Sequence, residues 1–270
     1  MPPYISTRAF IQWLPDEPSE PTSTQVLTSS QRCFVDIRVP ADPPLEGVNP
    51  AHVEWAFAGH STSNVVDGKT LSQWHHWVDS KTVKPEEVVD KGEMLPEDDS
   101  GLALEKGEMV NPATGRLTEY VEGWRDVNIG VVPKPGEGVV RKFCEELRER
   151  GVTVDGLRAG SVGGGGRRAT EASSRLSVVL QHEDAARRSR AVAIRLGHMC
   201  QGVMRVGDDF AHERWEWSQG DGWRQTSVSG KLSMPCDILT ILAEQISTDS
   251  TIRYGNEDDP KWQCVEAERF

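Results

Sequence analysis

Three side chains stand where acid–base or polarising chemistry would need them. His60 and His198 each follow a glycine at the end of an apolar run, and Arg125 lies between Trp124 and Asp126. A histidine changes charge near neutral pH and serves as general acid or base, while a fixed arginine polarises a carbonyl. Each also has a plainer reading. The histidines can be corner residues bonded to a neighbouring loop, and Arg125 can be paired with Asp126. No carboxylate in the sequence is visibly placed to orient either histidine.

A second set would bind rather than react: Trp55, Trp74, Trp77, Trp124, Trp215 and Trp217, with Gln201 as a polar contact. Tryptophan offers a large apolar face and one N–H, which suits the wall of a small-molecule pocket as well as an ordinary core. His75 and His76 are adjacent, so on a regular strand they face opposite ways and cannot share a metal. No GxSxG elbow, zinc spacing, EF-hand or nucleotide fingerprint occurs. Gly163–Gly166 are not followed by the Lys-Ser/Thr of a phosphate loop. No cofactor and no metal are expected.

These residues must be positioned by strands. Apolar and β-branched residues alternate over 5–14, 24–30, 32–39, 52–63, 70–80 and 116–129, with a break at Asp42-Pro43-Pro44 and a turn at Asn111–Gly115. Residues 81–108 are charged and dotted with Gly and Pro, and read as short strands or a surface flap; Asp98-Asp99 read as turn residues. The second half repeats the pattern over 175–181, 191–197, 201–206, 210–217 and 223–229, then 251–254 and 261–266, and Glu257-Asp258-Asp259 read as an acidic loop. Helices are expected over 142–150 and 235–245, the latter capped by Asp237. Trp55–His60 and Ala193–His198 are both apolar runs ending in Gly-His, each followed by a strand carrying two tryptophans. That likeness suggests a duplicated β unit. The expected organisation is an N-terminal barrel over 1–131, a linker and Gly-rich loop over 132–172, and a C-terminal barrel over 173–270.

The 270-residue chain carries 42 acidic and 30 basic side chains, a formal net charge of −12. That charge disfavours nucleic acid and anionic membrane as partners. Its five cysteines are scattered and odd in number, which reads as reduced thiols. With no apolar run of spanning length and no secretory leader, the expectation is a soluble cytoplasmic protein.

Several segments resemble the fungal Hri-type proteins, a family named for interaction with a casein kinase. They are Glu54–Gly59 (EWAFAG), Asn111–Gly115 with Thr118-Glu119-Tyr120, Gly123–Asp126, Arg195–His198, Cys200–Val203, Val206–Asp209 and Glu213–Trp217 (ERWEW). The resemblance runs in order along nearly the whole chain and implies an all-β protein with few short helices, built as two tandem lipocalin-like antiparallel barrels. His60, His198-Met199 and the glycine run 163–166 depart from the family pattern and point to a specialised member.

Two function classes follow. One is a cofactor-free cyclase or pericyclase of polyketide–terpenoid secondary metabolism, acting on an apolar or aromatic substrate by confinement in a barrel pocket. The other is a non-catalytic interaction protein or a carrier of an apolar small molecule. A homodimer and, for a housekeeping member, a protein-kinase partner complete the partner expectations.

Overall fold

Eight strands of the first unit alternate inward and outward residues and close on themselves. In the computed structural model, which describes residues 1–41, 53–97, 100–158, 175–255 and 260–270, the chain divides into Met1–Asn128 and Ile129–Phe270. The first unit comprises β1 (Tyr4–Trp13), β2 (Thr22–Thr28), β3 (Cys33–Pro40), β4 (Trp55–Val66), β5 (Lys69–Asp79), β6 (Asp90–Leu95), β7 (Ala103–Asn111) and β8 (Arg116–Val127). Each strand pairs antiparallel with the next, and β8 returns to β1, so the barrel has no free edge.

The charged stretch 81–108 is therefore part of the barrel wall. It holds a short 3-10 turn at Pro85–Glu87, then β6 and most of β7. β6 lacks apolar alternation because its inward positions include Asp90 and Gly92 rather than aliphatic residues. Along β3 nearly every residue is buried. Phe34, Asp36 and Arg38 share one face, and Cys33, Val35 and Ile37 the other.

The second unit contains α1 (Glu137–Glu149), β9 (Val152–Asp155), β10 (Leu176–Asp184), β11 (Ser189–Leu196), β12 (Met199–Val206), β13 (Asp209–Ser218), β14 (Gly222–Ser229), α2 (Cys236–Leu242), β15 (Thr251–Tyr254) and β16 (Lys261–Arg269). Its eight strands run in the order β14-β13-β12-β11-β10-β16-β15-β9. The residues read from sequence as linker thus contain α1 and β9, and β9 pairs with β15 as an integral strand. Ile238, Leu239 and Leu242 of α2 pack with Leu180, Ala193, Met204, Ile252 and Trp262 in one apolar cluster. No pairing between β14 and β9 closes this second sheet among the described residues, and α2 packs against it in that cluster.

Asp237 lies in the first turn of α2, not at its cap, and pairs with Arg150 at 2.7 Å. At the other end of the helix, Arg195 donates to the Leu239 and Thr240 carbonyls at 2.6 and 3.2 Å, satisfying acceptors that a helix terminus leaves open. The segments Asp42-Pro43-Pro44, Asp98-Asp99, Gly163–Gly166 and Glu257–Asp259 lie outside the described residues. Among the described residues no helix is long and apolar enough to cross a membrane.

Candidate functional site

The first barrel encloses a polar lumen, and a bulge in its wall sets the site. Strands β4 and β5 pair in register until a shift between Ala58 and Gly59, with Gly59 opposite His76 and Phe57 opposite Asp79. On an unbroken strand, positions 76 and 79 would face opposite ways. The extra residue in β5 turns both inward. Only glycine fits at the crossing, since a Cβ on Gly59 would lie 1.8 Å from the His75 carbonyl oxygen. The two Gly-His pairs therefore differ. Gly59-His60 sits at a bulge inside a strand, whereas Gly197, with φ +51°, opens the turn between β11 and β12.

His76 donates from Nδ1 to Asp79 at 2.7 Å and from Nε2 to Asp90 at 3.0 Å. Burial disfavours its charge, but the hydrogen bonds to Asp79 and then Asp90 outweigh this and raise its pKa above the ordinary histidine value. The Phe57 ring stacks on the imidazole at 4.2 Å. Asp79 also accepts from Trp55 Nε1 at 3.1 Å.

An ion-pair network crosses the lumen beside this triad. Arg8 bonds to Glu122 and, at 2.8 Å, to Glu20. Arg38 bonds to Asp36 at 2.9 Å, approaches Glu122 at 3.7 Å, and lies 5.0 Å over the Trp55 ring. Both guanidiniums are buried and already paired, as burial of a charge demands. Glu105 is different. Its oxygens accept from Tyr120 Oη at 2.7 Å and Trp124 Nε1 at 3.1 Å, both neutral donors. Burial first, then the negative charges of Glu122 and Asp90, push its pKa well above the carboxylate range.

On one side of this network lies a cavity of about 370 Å³. Its wall includes Phe34, Phe57, Trp74 and Trp124, together with Asp36, Asp90, Glu105 and Glu122. Two buried polar atoms there have no hydrogen-bond partner: Asp36 Oδ1 and Ser61 Oγ, on residues each only 3% exposed. Buried polar groups are rarely left so. Burial also raises the Asp36 carboxyl above its usual pKa.

The residues singled out in the sequence fall in three places. Trp55, Trp74 and Trp124 come together around Val26, Phe34 and Phe57 inside the first barrel. Three others of the first unit do not join them. Trp77 sits at the bulge, His60 is exposed and donates to the Gln31 carbonyl at 2.9 Å, and Arg125 is exposed on the outward side of β8. The remaining four belong to the second unit. His198 accepts from the Gly130 N–H at 2.9 Å, and its pKa is lowered by burial. Gln201 is fully buried, Trp215 donates to Glu213 at 2.8 Å, and Trp217 pairs with Trp223 across a hairpin.

Of the lumen's ionisable residues, Arg8, Asp36, Arg38, Asp90, Glu105 and Glu122 were not singled out from the sequence, and His76 was weighed only as half of an adjacent pair with His75. A signal was present in Phe34-Val35-Asp36-Ile37-Arg38, where two charges share one face of an otherwise apolar strand.

A closed eight-stranded antiparallel barrel with an aromatic and charged lumen, followed by a second eight-stranded sheet packed by a helix, is compatible with a tandem lipocalin-like β protein. The model of the family described as Protein HRI1 matches residues 4–266, and the chain belongs to that family. Among solved structures, the crystal structure of the uncharacterized protein YLR301w from Saccharomyces cerevisiae is similar with a TM-score of 0.65 and 18% identity. The match covers 99% of this chain and 100% of that one, and it speaks for the fold alone. No curated protein matches.

Proposed function

We propose that the first barrel is a receptor for one small organic molecule held in its lumen. The observation that carries this reading is the 370 Å³ cavity with two orphaned polar atoms, Asp36 Oδ1 and Ser61 Oγ, on an aromatic wall. Ligand sites are typically concave, mostly apolar and furnished with a few convergent polar groups. A kinase partner, which the family resemblance raised, or a homodimer would leave this chamber unexplained.

The catalytic form of this proposal is a cofactor-free cyclisation or cycloaddition of a reactive polyketide- or terpenoid-type substrate. What supports it is Glu105, a cavity-wall carboxyl whose pKa burial raises well above the carboxylate range, the direction that favours donation to a carbonyl. Confinement would supply the remainder of the rate. Carriage without chemistry uses the same chamber.

Tryptophan fluorescence and thermal shift, read over a panel of neutral, cationic and anionic aromatic or polyene compounds, test the receptor. At least one class should quench saturably with one site per chain. No quenching and no shift across the whole panel would end the proposal. For the catalytic form, Glu105→Gln should slow turnover of a reactive diene far more than it weakens binding; equal rates with and without protein would sink it.

A further inference from the structure

We infer that the molecule held in the first barrel is an organic cation, its ammonium group seated among Asp36, Glu105 and the rings of Trp74 and Trp124. This inference rests on the receptor reading above and names its ligand class.

The charges inside the barrel do not balance. Arg8, Arg38 and His76 stand against Glu20, Asp36, Asp79, Asp90, Glu105 and Glu122, three cations to six carboxyls. Every one of those cations is already in contact with a carboxylate. The half-exposed Arg32 also lines the cavity and bonds Ser63 at 3.4 Å, but an anion seated beside Asp36 and Glu105 would have to take Arg8 or Arg38 from an internal carboxylate and strand that partner. A cation meets the opposite situation. Asp36 Oδ1 has no partner, and among the described residues Glu105 accepts only from the neutral Tyr120 and Trp124.

The wall fits the rest of such a ligand. Trp74, Trp124, Phe34 and Phe57 line the same cavity, and aromatic faces attract ammonium groups strongly once water is excluded. A bare metal ion is a poorer fit. Among the described residues no three His, Cys, Asp or Glu side chains converge closely enough to hold one.

A proton exchange follows. The groups facing Asp36 and Glu105 are Arg8 on β1, Arg38 on β3, His76 on β5, Asp90 on β6, and Tyr120 and Glu122 on β8, with Arg32 and Asp126 in the same cavity wall. This surplus of carboxyls, with burial, favours bound protons on Asp36 and Glu105. A bound ammonium would replace them, so binding would release protons and weaken as pH falls.

Calorimetry on the full chain, with phenethyltrimethylammonium, phenethyl alcohol and phenylacetate, decides the matter. The cation should bind about tenfold or more tightly than the other two. Its measured enthalpy should shift between buffers of different ionisation enthalpy in the sense of proton release. Glu105→Gln, which removes the charge and keeps one of the two acceptor oxygens, should weaken the cation about tenfold and the alcohol hardly at all. Asp36→Asn should do the same where it folds. Equal or tighter binding of the alcohol or the phenylacetate overturns the cation while leaving the receptor standing. Failure of all three probes to bind removes the cation, and only silence across the whole fluorescence panel removes the receptor with it.

Discussion

Asp36 and Arg38 stand two positions apart on β3, and that spacing alone sends both into the lumen. Once there, each depends on the other. Arg38→Met should cost about 3–5 kcal/mol in urea denaturation, because Asp36 and Glu122 would lose their shared cation in a buried setting; a loss under about 1 kcal/mol would show the pair to be solvated. His76 allows a test with a sign. Its folded pKa is raised above the unfolded value of about 6.5. The stabilisation is thus fully present below about pH 6.5 and disappears as pH rises through the folded value. The stability difference between wild type and His76→Gln should shrink from pH 6 to pH 9, and a constant difference would contradict a charged His76. His212 behaves oppositely: burial and then Arg214 lower its pKa to about 4. An NMR titration should find its ring neutral down to roughly pH 4. The charged residues of β3 could be read from sequence as an oddity, but their partners could not. Glu105 and Glu122 reach the lumen from β7 and β8, far along the chain, and only the barrel's closure brings them near Arg38.

Strands and turns show where local patterning succeeds. β1–β5 and β8 follow from alternation, since their inward and outward faces differ in polarity or bulk. β6 does not, and of β7 only the end near Val110, before the Asn111–Gly115 turn, could be read, because a charged lumen removes the contrast that alternation needs. The bulge at Gly59 was also hidden in the sequence. It is a backbone event whose only trace is a glycine, and that glycine reads equally well as a strand corner. Gly59→Ala should destabilise by on the order of 3 kcal/mol or more, because the new Cβ would meet the His75 carbonyl. His76 ring resonances should shift in the same variant, since the bulge aims that side chain. Unchanged resonances with full stability would mean the bulge tolerates a side chain.

At the scale of the molecule, two eight-stranded sheets have opposite interiors. The second is packed by α2 with Leu, Ile, Met and Trp side chains, and the first keeps a cavity bounded by ions. The family pattern, legible in EWAFAG and ERWEW, led to the tandem fold, but tryptophans in both halves gave no hint of which unit is open. Deciding that required the helix packed against the second sheet. Hydrogen exchange with bound ligand should accordingly slow in β1–β8, with β10–β13 unaffected.

The most direct test of the receptor fills the chamber. Val26 lies in the cavity wall beside Phe34 and Phe57, so Val26→Trp would place an indole where the ligand sits. Calorimetry on this variant, with circular dichroism to confirm the fold, should show binding abolished in a folded protein. Unaltered binding by folded Val26→Trp would place the ligand elsewhere and contradict the account.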